Sequence, residues 1–259
     1  MTAPDLRRIQ AYLRVAAPQG RDHARIGPFL ATFNRETDNP YLNYAIPDED
    51  AAPTPEEIAA LVAAYRQAER KPRLEYIPAV APAGEAALLR ARFEVEGRTP
   101  LMVYEPAAAA TPPVPDGIEL LAASTDEELT AAAAVQWEAY EESGPVAEHA
   151  VTGLRRTLDA GGIVVLARDA ETGEPAGAGL CTGPHAGSTE LAAVGVRPSF
   201  RRRGIAATMG AWLAERAAEA GLDNVFLMAD TEAEARIYAR AGFRAISDVL
   251  HIGRGADDR

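Results

Sequence analysis

Hydrophobic and polar positions in the second half of the chain recur with two periods, which predict alternating strands and helices. Short apolar runs rich in β-branched residues are typical of strands, and apolar residues three or four positions apart are typical of amphipathic helices. The predicted strands are 118–121, 163–167, 176–182, 190–196, 225–228 and a final pair between 243 and 252. The predicted helices are 125–141, a second that ends near 159, 204–220 and 232–241. This order predicts an α/β domain.

The first half of the chain repeats this order of elements at an offset of 150 residues without a gap. The predicted strands 43–46 and 74–77 align with the later strands at 193–196 and 224–227. The predicted helix 56–70 aligns in the same way with the later helix at 206–220. Few aligned residues are identical, so either a duplicated module or a chance agreement between two α/β segments would give this pattern.

A segment rich in proline and alanine separates the two halves. Residues 105–117 contain three prolines within five positions, which prevent a regular helix or a central strand there. The sequence therefore predicts a first module at 1–106, a linker at 107–117 and a second module at 118–254.

Composition narrows the classes of partner. The 259-residue chain has a formal net charge of −12, which argues against a nucleic-acid backbone as a general partner. Cys181 is the one cysteine, so a disulfide framework and a cysteine-based zinc site are excluded, and a buried packing role is expected. No signal peptide is visible, and no apolar run approaches the roughly 18 residues of a membrane helix. We therefore expect a cytoplasmic protein with no membrane partner and no metal.

The junction of strand and helix at 196–206 has the composition of an anion-binding turn. Three arginines and Gly204 lie between the end of the strand and the start of the helix. The first N–H groups of a helix have no partner within it, and the helix dipole favours negative charge there. Glycine permits close approach of a ligand, and arginine suits phosphate oxygens. A basic surface turn would have the same composition, so this segment alone leaves both interpretations open.

Two motifs resemble those of the GNAT acetyltransferase superfamily. The order Arg-x-x-Gly-x-Ala at 201–206 resembles the pyrophosphate loop of that family, Gln/Arg-x-x-Gly-x-Gly/Ala. Residues 235–243 resemble its tyrosine-bearing helix, which is closed by Gly-Phe. The resemblance covers roughly residues 115–254. It implies an α+β fold with a mixed, mainly antiparallel sheet flanked by helices, present here in two copies. It also implies transfer of an acetyl group from acetyl-CoA to a primary amine.

The resemblance implies a role for each matching residue. Backbone groups of the loop hold the pyrophosphate, the strand at 194–196 pairs with the pantetheine amides, and Tyr238 is the general acid for the leaving thiolate. Thr231 stands where the family often has an asparagine that contacts the cofactor, and its side chain is shorter. The implied cofactor-binding residues are Val194, Gly195, Val196, Arg201, Arg202, Arg203, Gly204, Ile205, Ala206 and Thr231.

Glu190 is the candidate base, because some family members place a glutamate at the start of this strand to deprotonate the amine through water. An exposed glutamate at a strand edge would look the same in the sequence. His149 and His185, in predicted loops, are other candidate bases. A half-buried packing tyrosine likewise remains the alternative interpretation of Tyr238.

The first module lacks the residues that this chemistry needs. At the offset of 150, the segment 51–55, which follows three acidic residues, stands in place of the arginine loop. Leu88 stands in place of Tyr238. We therefore expect a degenerate module that binds no acetyl-CoA.

Three classes of function compete. The first is an acetyl-CoA-dependent N-acetyltransferase, which the presence of Tyr238 favours over the second, a non-catalytic acyl-CoA-binding or regulatory protein. The third is a Rossmann-type nucleotide binder, but residues 195–206 lack the glycines of its fingerprint, and no P-loop motif occurs. Nothing in the sequence distinguishes a small-molecule amine from a protein amine, an acetyl from a longer acyl donor, or a monomer from a homodimer.

Overall fold

The computed structural model describes residues 5–106 and 112–255 of the chain. Contacts divide these residues into two compact units. We call the unit formed by 102–245 the C-terminal unit, and the unit formed by 5–101 and 246–255 the N-terminal unit. Relative to the predicted modules, 102–106 and 246–254 lie in the other unit, because each of these unit boundaries falls inside a long strand. Part of the predicted linker, 107–111, lies outside the described residues.

The N-terminal unit places three helices around a mixed sheet. Its elements are α1 (Leu6–Ala16), β1 (Asp22–Ile26), β2 (Phe29–Phe33), β3 (Ala45–Pro47), α2 (Pro55–Gln67), β4 (Arg73–Tyr76), α3 (Gly84–Arg90) and most of β5 (Glu94–Tyr104). The strands β1, β2 and β3 pair antiparallel, and β3 pairs parallel with β4. The last strand of the chain, β11 (Phe243–Gly253), pairs antiparallel with β4 through its final residues.

The C-terminal unit has the elements β6 (Ile118–Ala122), α4 (Asp126–Ala139), α5 (Glu148–Asp159), β7 (Ile163–Asp169), β8 (Pro175–Cys181), β9 (Ser188–Val196), α6 (Ile205–Glu219), β10 (Asn224–Met228) and α7 (Glu232–Arg240), followed by the start of β11. The strands from β6 to β9 pair antiparallel in chain order, and β9 pairs parallel with β10. The predicted fold class, a mixed and mainly antiparallel sheet flanked by helices, is confirmed.

The core of the C-terminal unit lies on both faces of its sheet. Successive side chains of a strand point to opposite faces, and β7 follows this rule. Its Val164 packs in a cluster with Leu129 of α4, whereas Val165 packs in a second cluster with Leu213 of α6. Burial on both faces fixes the position of β9 between α4 and α6, and this is where the candidate site lies. Cys181 is buried, as expected.

The predicted repeat of element order is present. The order strand, strand, strand, helix, strand, helix, strand occurs first from β1 to β5 and again from β7 to β11. At the offset of 150, the first residue of α2, Pro55, aligns with the first residue of α6, Ile205. The prediction that His149 lies in a loop is wrong, because α5 begins one residue earlier and includes it. No helix among the described residues is long and apolar enough to cross a membrane.

Candidate functional site

The strands β9 and β10 separate to form a cleft. Their described pairing covers Ser188 to Glu190 of β9 and Asn224 to Phe226 of β10, and β9 then continues to Val196. A cleft of about 340 Å³ lies along this further part of β9. It is lined by Ala139, Tyr140, Val194, Gly195, Val196, Arg201, Ala206, Glu234, Ile237 and Tyr238. The cleft therefore joins one strand edge to the start of α6 and to one side of α7.

The start of α6 presents a row of backbone N–H groups. Gly204 precedes the helix in the left-handed conformation, with a φ of 89°, and no side chain caps the helix. The first hydrogen bond of the helix runs from the Thr208 N–H to the Gly204 carbonyl at 3.1 Å. Within the described ranges, the amides of residues 202–207 have no hydrogen-bond acceptor. A Cβ added at Gly204 would meet no atom within 4 Å, so the space beside these amides is open to a ligand.

The three loop arginines differ in what their side chains contact. Arg201 donates from Nε to the Val196 carbonyl at 3.1 Å, which ties the loop back to β9. Arg203 donates to the Asp116 carbonyl at 3.1 Å and lies over the ring of Phe200. Arg202 is exposed, and its guanidinium has no partner among the residues that the structure describes. Two of the arginines thus hold the loop, whereas the charge of Arg202 is exposed to solvent beside the cleft.

Tyr238 of α7 lines the cleft with its ring held on two sides. The ring packs edge-on against Phe243, with 6.0 Å between the ring centroids. On the other side lies Gly210 of α6, where an added Cβ would be 3.3 Å from Cε1 of Tyr238. Burial raises the pKa of Tyr238 above its usual value, and the nearby Tyr140, Glu234 and Asp230 raise it further. The hydroxyl therefore keeps its proton at neutral pH and is available as a proton donor.

Tyr140 is a second tyrosine in the cleft that sequence reasoning missed. It ends α4, and its hydroxyl donates to the Val194 carbonyl at 3.4 Å. Partial removal from water and the carboxylates of Glu234 and Asp230 raise its pKa. In the sequence, Tyr140 is only a residue at the end of a predicted helix. Its role could not be predicted because its contact with Val194 joins residues that are far apart in the chain.

Glu190 and Thr231 do not line the cleft. Glu190 lies on the part of β9 that still pairs with β10, opposite Phe226. The Thr231 hydroxyl accepts the Glu234 N–H at 3.1 Å and so forms the N-cap of α7. His149 packs against Trp137, and the backbone of His185 bridges to Ser188, so neither candidate histidine lies in the cleft. No cluster of acidic, histidine or cysteine side chains suited to a metal occurs in 5–106 or 112–255.

Comparison with known proteins identifies a family that the C-terminal unit resembles. Residues 128–243 match the family model described as "Acetyltransferase (GNAT) family". This segment contains β9, the loop before α6 and Tyr238. The fold and the family model thus both indicate a domain of the acetyltransferase class. The segment 128–243, somewhat less than half of the chain, is similar to a GNAT acetyltransferase domain. None of the curated proteins that were compared matches the chain.

Solved structures resemble the chain over nearly its whole length. A GCN5-related N-acetyltransferase from Kribbella flavida is 25% identical with a TM-score of 0.78, and the match covers 98% of this chain and 97% of that one. A tandem GNAT protein from the clavulanic acid biosynthesis pathway is 16% identical with a TM-score of 0.63, covering 89% and 79%. A GCN5-related N-acetyltransferase from Sphaerobacter thermophilus is 18% identical with a TM-score of 0.61, covering 88% and 76%. The last two show a shared fold.

Proposed function

We propose that the protein is an acetyl-CoA-dependent N-acetyltransferase that acts on a primary amine through the cleft of its C-terminal unit. The observation that carries this proposal is the coincidence of three features in one cleft. They are the uncapped start of α6, the strand edge at 194–196 and the protonated hydroxyl of Tyr238. We place the activity in the cytoplasm, in a monomer or homodimer that has acetyl-CoA and an amine acceptor as its partners.

The start of α6 fits the pyrophosphate of acetyl-CoA. Six consecutive amides, those of 202–207, have no acceptor in the described structure, and the space at Gly204 is open. The positive end of the helix dipole strengthens binding of an anion at this point. Arg202 adds a positive charge, and its exposed guanidinium forms no ion pair with a carboxylate among the residues that the structure describes. Ile205 and Ala206 contribute to pyrophosphate binding through their backbone N–H groups. The side chain of Ala206 is a single methyl group, which leaves room for the pyrophosphate to approach these N–H groups.

The residues of the cleft account for the remaining requirements of acetyl transfer. Acetyl-CoA supplies the activated acetyl group as a thioester. The backbone of Val194, Gly195 and Val196 orients the pantetheine chain in the manner of an added strand, and an N–H of this strand polarises the thioester carbonyl. The Tyr238 hydroxyl gives its proton to the departing sulfur. Glu190 takes the proton of the amine. Because Glu190 is not among the residues that line the cleft, this proton transfer runs through water.

The contacts of Thr231 limit its role toward the cofactor. Its hydroxyl oxygen already accepts the Glu234 N–H, so one of its two lone pairs is occupied, and its O–H and second lone pair are what it can offer to acetyl-CoA. We further propose that residues 1–106 form a degenerate module and that 118–254 carry catalysis.

Release of free thiol from acetyl-CoA across a panel of primary amines, small and polypeptide, tests the proposed function. Coenzyme A binding is measured on the same preparation by calorimetry. We expect binding, together with turnover of at least one amine. Binding without turnover of any amine would favour the alternative, a non-catalytic acyl-CoA-binding protein. Absence of binding would overturn both.

A further inference from the structure

The edge of β9 that lines the cleft contains a β-bulge. The pairing of β9 with β8 shifts so that Ala193 and Val194 lie opposite the single residue Gly179. Ala193 has a φ of 52°, in the left-handed region that residues with a Cβ seldom adopt. A bulge with such a residue persists only where the surrounding structure holds it in place.

The bulge changes which side chains of β9 face the cleft. In a regular strand, residues three positions apart point to opposite faces. In β9, Leu191 and Val194 both pack in the cluster that contains α6, whereas Ala192 and Ala193 both pack in the cluster that contains α4. The extra residue thus reverses the alternation and directs Val194 and Val196 toward the side of the sheet where α6 lies.

Helix α4 holds the bulge through the side chain of Gln136. The Gln136 amide donates from Nε2 to the Ala193 carbonyl at 2.8 Å. The helix comes this close because β9 has a glycine at 195, where an added Cβ would be 2.7 Å from the Cβ of Ala139. One helical turn after Gln136, the Tyr140 hydroxyl donates to the next carbonyl, that of Val194, at 3.4 Å. Two successive carbonyls of the bulge are therefore bonded to one face of α4.

We propose that Gln136 is a positioning residue for acyl transfer, which holds Ala193 in its left-handed conformation so that β9 presents residues 194–196 to acetyl-CoA. This inference rests on the proposed function for the chemistry, but the contact between Gln136 and Ala193 does not depend on it. Gln136 itself does not line the cleft and acts only through the strand.

A double-mutant cycle tests this role. Gln136→Met keeps the length of the side chain and removes the donor. Ala193→Gly supplies a residue that adopts positive φ without the steric penalty of a Cβ, so it should no longer need Gln136. We expect Gln136→Met alone to lower kcat/KM about tenfold, the effect of one hydrogen bond that holds a strained residue. In the Ala193→Gly background, the same change should lower kcat/KM less than about threefold.

Thr130→Val is the matched control, because it removes an exposed hydroxyl on the same helix that bonds only within the helix. It should leave kcat/KM unchanged. A loss from Gln136→Met that is equal in both backgrounds would show that Gln136 acts through helix packing, which overturns the proposal. No loss in the wild-type background would also overturn it.

Coenzyme A affinity, measured by calorimetry on the same four proteins, gives a readout that does not need turnover. The affinity should follow the same pattern, with a loss for Gln136→Met that Ala193→Gly relieves. If the wild-type protein acetylates no amine, the proposed function fails, and these affinities still decide whether Gln136 positions the strand. Circular dichroism of each variant checks that the fold is intact.

Discussion

The starts of α2 and α6 occupy the same place in the repeated order of elements, yet they satisfy their backbone groups in opposite ways. At α2, the Thr54 hydroxyl accepts the Glu57 N–H at 3.3 Å, and the Glu57 carboxylate accepts the Thr54 N–H at 2.9 Å. Pro55 at the first position has no N–H to satisfy. At α6, Gly204 offers no side chain, so the corresponding N–H groups have no side-chain partner among the described residues.

The charges around the two helix starts differ in the same direction. The first turn of α2 carries Glu56 and Glu57, and the preceding Asp48 forms ion pairs with Arg14 and Arg25. The first turn of α6 has no acidic residue. One helix start is thus capped within the protein and carries acidic side chains in its first turn, whereas the other is uncapped and, in our proposal, binds a phosphate. The capacity to bind an anion therefore depends on unsatisfied N–H groups and local charge. Two units with the same order of elements can differ in both.

The largest expected effect comes from giving α6 the charge that α2 has. At the offset of 150, Ala206 corresponds to Glu56. Ala206→Glu should weaken coenzyme A binding by at least about 100-fold, since it places a carboxylate in the cleft beside the phosphate-binding amides. It should not destabilise the helix, because an acidic side chain is favourable in a first turn. Calorimetry and thermal unfolding of the same variant measure the two effects.

The reverse change provides the control. Glu56→Ala should leave coenzyme A affinity unchanged, because the cap formed by Thr54 and Glu57 still occupies the start of α2. A second coenzyme A site in Glu56→Ala would show that a single charge, rather than the cap, separates the two helix starts.

Tyr238→Phe should lower kcat by about 100-fold, the lower end for general acid catalysis, with little change in coenzyme A affinity. Tyr104→Phe is its control, because both tyrosines pack against Phe243 and Tyr104 does not line the cleft. A loss of only a few-fold in Tyr238→Phe would remove Tyr238 as the acid and leave the cofactor site standing.

The raised pKa of Tyr238 predicts the shape of the pH profile. Because burial moves the pKa of this hydroxyl upward, the protonated form that donates is retained through neutral and mildly alkaline pH. The wild-type rate should rise with pH as the acceptor amine loses its proton. Because Tyr238 stays protonated, the rate should not fall through ionisation of Tyr238 below about pH 10. A decline near pH 8 that disappears in Tyr238→Phe would contradict this assignment.

Glu190→Gln should have a smaller effect, about tenfold on kcat/KM at neutral pH, because in the proposed mechanism Glu190 reaches the amine only through water. The loss should shrink at higher pH, where more of the amine is already neutral. A loss that stays constant across pH would instead indicate a structural role for Glu190 in the strand.

The smallest expected effect concerns the N-terminal unit. Thr54→Ala removes the cap of α2 and should lower the free energy of unfolding by about 1 kcal/mol, without changing coenzyme A affinity. Denaturant titration measures the first quantity and calorimetry the second. Reduced coenzyme A affinity in Thr54→Ala would contradict the claim that the start of α2 takes no part in coenzyme A binding.

Much of the fold could be predicted from hydrophobic periodicity, because burial of both sheet faces determines the pattern. The helix predicted at 204–220 is present as Ile205–Glu219, and the helix predicted at 232–241 as Glu232–Arg240. The strand predicted from 190 in fact begins two residues earlier, at Ser188. The prediction missed Ser188 and Thr189 because they are buried polar residues that interrupt the apolar pattern.

The details of the site could be predicted less well. Local motifs identify the loop and Tyr238, but the left-handed Ala193 and its contact with Gln136 arise from the packing of α4 on β9. A sequence pattern carries no signal for a hydrogen bond between residues 57 positions apart. The same holds for Arg201 and Arg203, whose side chains bond to the backbone carbonyls of Val196 and Asp116.

The number of coenzyme A molecules bound per intact chain tests the central claim most directly. Calorimetric titration of the wild-type protein should give one site, and that site should be lost in Ala206→Glu. Two equivalent sites would contradict the distinction between α2 and α6, and a single site that survives Ala206→Glu would contradict the assignment of the start of α6 as the place where coenzyme A binds.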